Sequence, residues 1–181
     1  MNRRSRNRLL GVVRGASVAG VLLFSIAPAV FARHTLTAAE ESVVTTWLTQ
    51  HPGFRRATPR DCNCDEDIRN MRTGWGGVTP VPDYDPYRAS GDFNGDGVGD
   101  IAVVLLDTRK QSDAFALLVF NGPLGKASQA ALFKTGLDLK QEGLFYGPPL
   151  EKPYRLVLGR FYSDFAVILV PSGKTYRLRD Y

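Results

Sequence analysis

The chain has 181 residues, 44% of them hydrophobic and 10% aromatic, the make-up of one packed globular domain rather than a disordered chain. Its formal charge of +5 is matched by five arginines near the start, Arg3, Arg4, Arg6, Arg8 and Arg14. Of 23 basic and 18 acidic residues, positions 33–181 keep 18 of each sign, which excludes a nucleic-acid binder that works by excess positive charge.

Met1 to Arg14 is basic and free of acids, and Ala16 to Ala27 is mainly apolar. Val30-Phe31-Ala32 then supplies small or moderate side chains ahead of a cut after Ala32, with a cut after Ala29 as the alternative. This layout predicts a signal peptide over 1–32 and an exported protein, periplasmic or secreted. The apolar run falls short of the ~20 residues that cross a bilayer, so no membrane span is expected after cleavage.

Leu36 to Gln50 reads as an amphipathic helix. Thr37 and Glu40 fit a capping box, and Val43, Val44, Trp47 and Leu48 recur on one face. Asp65 to Arg72 suits a short helix, with acids first and arginines last as the helix dipole favours. Residues 73–87 hold Gly and Pro throughout and predict a long loop. Its Trp75, Tyr84 and Tyr87 either engage a partner or tuck the loop onto the core.

From residue 88 short apolar or alternating runs predict strands over 100–106, 114–120, 130–134, 154–161, 165–170 and 174–178. Turn residues separate them, and no helix-length segments intervene, so the pairing should be antiparallel. The fold class expected is α+β: an N-terminal helix plus an antiparallel sheet of about five or six strands. One domain would comprise a helical part over 33–87 and a sheet part over 88–181. Gly91-Asp92-Phe93 and Gly159-Arg160-Phe161 each open a similar run into an apolar strand, an echo of a duplicated hairpin or of chance.

The densest chemistry is Asp92-Phe93-Asn94-Gly95-Asp96-Gly97-Val98-Gly99-Asp100. Oxygen side chains recur at relative positions 1, 3, 5 and 9, and Gly97 permits a sharp turn. Hard cations such as Ca²⁺ want six to eight oxygens, and a tight loop brings alternate side chains toward one point. Asn94-Gly95 and Asp96-Gly97 are also turn dipeptides that need no ion. The stretch resembles the D-x-[DN]-x-D-G-x-x-D loop of FG-GAP and VCBS-type repeats and of integrin α-subunit propellers, where the loop joins strands. That resemblance implies structural Ca²⁺ held by Asp92, Asn94, Asp96, the Val98 carbonyl and Asp100. This chain has one such loop, too few for a propeller. An EF-hand is a poorer match, since Val103 stands where its bidentate Glu belongs.

Cys62 and Cys64 are the only cysteines. In an oxidising compartment they predict a C-x-C disulfide, an intermolecular bridge or a soft-metal pair. His34 and His51 are the only histidines, and Glu142, Glu151 and Asp164 are scattered carboxylates. No nucleophile elbow, zinc-protease motif or phosphate loop occurs. The expected function is therefore a calcium-binding, non-enzymatic binding or structural module for a protein or envelope ligand. Its candidate surfaces are the 73–87 loop and Tyr146, Tyr154, Tyr162 and Tyr176. The alternatives are a metal-assisted hydrolase with His51 or Glu142 as base, and a redox protein using Cys62 and Cys64.

Overall fold

The computed structural model describes residues 35–181 apart from Val78, Asp113, Pro149 and Glu151, so the predicted signal peptide and His34 lie outside the described residues. Helix α1 spans Ala38–Gln50. Its capping box is formed: the Glu40 N–H donates to Thr37 Oγ1, and the Thr37 N–H donates back to the Glu40 carboxylate. The reciprocal pair meets amides that the helix itself leaves without partners. After the cap at His51 come strand β1 (Phe54–Arg56), helix α2 (Pro59–Cys62) and helix α3 (Asp65–Thr73). Helix α3 buries Ile68 and stops at Gly74, whose φ of +74° is the left-handed turn that glycine adopts freely.

Among the described residues the strands form two antiparallel sheets, of five and four strands, where the sequence reading expected one sheet of five or six. The first contains β1, β2 (Arg88–Gly91), β3 (Asp100–Asp107), β4 (Phe115–Phe120) and β5 (Leu132–Leu137). Strands β1 and β2 lie end to end along one edge of β3: Phe54 pairs with Asp107 and Gly91 with Asp100. The second sheet is a meander of β6 (Glu142–Phe145), β7 (Val157–Arg160), β8 (Ala166–Ser172) and β9 (Thr175–Asp180). The expected strands shift accordingly: 130–134 becomes β5, and β8 runs on through Pro171, which pairs with Tyr176.

Period-two alternation along β3 explains the layering. Ile101, Val103 and Leu105 meet Val43 and Val44 of α1, together with Ala116, Leu118 and Phe120. Ala102 and Val104 face the other way, with Leu117 and Val119, onto Leu144, Leu156, Leu158 and Leu169 of the second sheet's half of the chain. Strands β3 and β4 are thus covered on both faces, which is why they read as unbroken apolar runs. The order of layers is α1, first sheet, second sheet. Each fully buried Leu or Ile in them contributes about 1.5–3 kcal/mol by leaving water.

Cys62 and Cys64 form a disulfide with each other. Both are buried in the core between the sheets, beside Ile68. An intermolecular bridge and a soft-metal pair are thereby replaced by a local staple between α2 and α3. Tyr84 and Tyr87 are also fully buried, so the aromatic residues of the 73–87 loop mostly tuck it onto the protein, while Trp75 stays exposed.

Candidate metal centre

The acidic stretch is the connection from β2 to β3, closed at its base by the Gly91–Asp100 pair. Its side chains are turned onto its own backbone. Asp92 Oδ1 accepts from the N–H of Gly95 (2.7 Å) and Asp96 (3.0 Å), and its Oδ2 from Gly97 (2.9 Å). Asn94 Oδ1 accepts from the Asp96 N–H (2.8 Å), and its amide donates to Asp96 Oδ2 (2.9 Å). Asp96 Oδ1 accepts from the Val98 N–H (2.8 Å). Gly95 and Gly97 have φ of +82° and +85°, the region that lets the amides turn inward. The mutual repulsion expected of Asp92, Asp96 and Asp100 is met here by N–H dipoles.

Asp100 differs from the rest because it has no solvent exposure at all. Its Oδ2 accepts from the N–H of Phe93 (2.8 Å) and Asn94 (3.3 Å), and its Oδ1 from Gly122 (2.9 Å). Tyr176 on β9 adds a hydroxyl, at 3.3 Å to Oδ2 and 2.7 Å to Asn121 Oδ1. Burial pushes the Asp100 carboxyl up from the ordinary aspartate range, against the opposing pull of those three N–H groups. The same burial, with Asp100 beside it, raises the Tyr176 phenol, so its proton stays on as a donor. A second tyrosine anchors the loop's start: the Tyr146 hydroxyl donates to the Asp92 carbonyl at 2.7 Å. The loop thus belongs to the first sheet but is moored by the chain of the second.

Residues 94–99 remain at least partly exposed, and neither Asp92 nor Asp96 is ion-paired among the described residues. The Arg155 guanidinium lies near Gly95, with Nη1 3.8 Å from where a Cβ on that glycine would sit. Among the described residues no group of three or more His, Cys, Asp or Glu converges as a metal cluster. The donor set nonetheless fits a hard cation in part. Asp92, Asn94 and Asp96 offer oxygens with lone pairs beyond those their amide bonds use, and the Val98 carbonyl adds one more. Asp100 Oδ2 is fully committed to hydrogen bonds, which leaves its Oδ1 with one free lone pair.

The other predicted residues lie elsewhere. His51 caps α1, its ring stacked on Trp47 at 3.7 Å, and Glu142 is buried on β6 opposite Arg160. Neither has a loop residue among its bonding partners. Glu151 is outside the described residues, and Asp164 is exposed in the β7–β8 turn. The two echoed glycines hold similar places: Gly91 pairs with Asp100 at the mouth of the β2–β3 connection, and Gly159 pairs with Ala166 at the mouth of the β7–β8 turn. Tyr146 and Tyr176 are buried, Tyr154 is half-buried and Tyr162 is exposed. Sequence spacing missed Gly122, Asn121, Tyr146 and Tyr176 as supports of the loop, since they lie 22 to 76 residues from the groups they hold. Compared with known protein families, with curated proteins and with solved structures, the chain gives no match.

Proposed function

We propose that the protein is an exported, non-enzymatic module whose β2–β3 loop takes Ca²⁺ in the manner of an FG-GAP or VCBS-type loop, as a stabiliser of a binding or structural domain. The observation that supports this reading is the loop itself. Three oxygen-bearing side chains at alternate positions, two of them acids without a cationic partner among the described residues, sit on an exposed glycine-turned connection. Asp92, Asn94, Asp96 and the Val98 carbonyl would hold the ion, with Asp100 beneath them as a buried support. Bound there, Ca²⁺ would supply charge neutralisation and rigidity. Weak, millimolar-range sites suffice outside the cell.

Catalytic and redox readings have less behind them. Among the described residues neither His51 nor Glu142 bonds to the loop. A disulfide with sulfurs on residues 0% and 3% exposed is closed to an attacking thiolate. The test is thermal unfolding in Ca²⁺ and in chelator. Wild type should melt higher with Ca²⁺, and Asp96→Ala should erase that difference. Identical melting of wild type in both buffers would defeat the proposal.

A further inference from the structure

Helix α1 covers the first sheet on the side away from the second; on the second sheet's outer face no helix does this among the described residues, and Tyr84 and Phe161 pack over Gly143 and Phe145 at its β6 end only. Register identifies the side chains on its outer face. Phe145, Val157, Ile168 and Arg179 stand in one cross-strand row, and Val170 sits opposite Arg177 in the next. Val157 and Ile168 are 6% and 8% exposed, so the floor of this face is mostly covered by the side chains around it. Two shallow recesses share this face. One, of about 490 Å³, is bordered by Phe145, Leu150, Phe165 and Tyr181, with Arg160 and Asp164 as its charged residues; the other, of about 280 Å³, by Lys152, Arg155, Ile168, Val170 and Arg179.

Two further features bear on what covers it. The smaller recess has three cationic side chains and no acid among its described lining residues. Arg177 and Arg179 have no ion-pair partner among the described residues, although residues 33–181 are neutral as a whole. The rings on this side also project. Phe165 and Tyr181, which border the larger recess, are 60% and 68% exposed.

We propose that this outer face docks on a bilayer surface that contains anionic phospholipids. Guanidinium groups pair with phosphate in a bidentate fork, and aromatic rings beside them suit the headgroup layer. An apolar floor flanked by cations lets the face approach the acyl boundary without burying an unpaired charge. Projecting rings favour this over a folded acidic protein, which would need sockets to receive them. The inference uses no residue of the β2–β3 loop except its neighbour Arg155, and it stands whether or not that loop takes Ca²⁺.

Amide hydrogen exchange of the full chain, with vesicles rich in phosphatidylglycerol or of phosphatidylcholine alone, reads the contact locally. Residues 1–32 are themselves basic and apolar, so simple co-sedimentation would not identify the face. Exchange should slow across the β7–β8 turn and along β9 with the anionic vesicles only, and added salt should reverse it. Arg177→Ala and Arg179→Ala, both at exposed positions, should each weaken that protection about fivefold. Phe165→Ala should weaken it further, and Arg69→Ala on helix α3 should leave it unchanged. Unaltered exchange at the turn and β9 with anionic vesicles would overturn the proposal, and so would protection that survives the Arg177/Arg179 double variant. Protection by soluble polyglutamate but not by vesicles would also overturn it, assigning the face to an acidic polypeptide.

Discussion

Replacing Asp100 by Asn changes one atom of a buried carboxylate and tests the reading of this residue as the knot beneath the loop. The side chain accepts three backbone N–H bonds and a share of the Tyr176 hydroxyl, whose shorter bond goes to Asn121. An amide can keep its oxygen toward Phe93, Asn94 and Tyr176, but its NH₂ then faces the Gly122 N–H, donor against donor. The reverse orientation sets the NH₂ against two N–H groups and a hydroxyl and costs more. In the better orientation one charge-assisted bond is lost, about 1.5–3 kcal/mol, and the remaining ones weaken. Relief of the buried charge, which already lifts the Asp100 pKa, offsets part of this. A net loss of about 2 kcal/mol is expected, or about 4–8 °C in Tm for a domain of this size. Urea unfolding in chelator isolates the protein's own bonds, and m should not change. A variant within ~0.5 kcal/mol of wild type would refute the reasoning, because burying the charge would then cost as much as its hydrogen bonds return.

Two other perturbations probe the same framework. A methyl at Gly122 would run into the Val98 side chain and the Gly99 carbonyl, so Gly122→Ala should displace the loop, with shifted amide resonances over 96–100 and a loss of about 1–3 kcal/mol; unshifted resonances would contradict it. The Arg55 guanidinium, with help from the Thr58 N–H and hydroxyl, holds the Asp61 carboxyl at about 2, below its ordinary 3.8. A lowered folded-state pKa contributes stability above the unfolded value that is lost as pH falls through the folded one, so this pair's contribution should fade between about pH 4 and pH 2. Arg55→Met should flatten that part of the stability–pH curve, and an unchanged slope would exclude the pair as its source.

What could be read from the sequence was local chemistry or long apolar pattern. Thr37 and Glu40 lie three residues apart, and their capping box formed as predicted. Strands β3 and β4 announce themselves because both of their faces are covered. Strands β1, β2 and β6, with sequences FRR, RASG and EGLF, carry no apolar alternation, and their pairing is set by neighbours far along the chain. Without them the remaining runs looked like one sheet, and nothing in a hairpin's sequence says which sheet it joins. The loop's residues were legible from their spacing, but its moorings were not. Tyr176 is 76 residues from Asp100, and its value lies in a hydroxyl that only tertiary packing brings there.

Placing the second sheet last in the chain has a consequence for biogenesis. Leu117 and Val119 share their core with Cys62, Ile68 and Tyr87, made earlier, and with Leu144, Leu156, Leu158 and Leu169, made later, so the half-built protein emerging from a ribosome has only part of that apolar wall covered. The wall is sealed only after residues 142–181 have been made. Truncation in that stretch would leave part of this apolar surface open, which favours aggregation over a smaller stable protein.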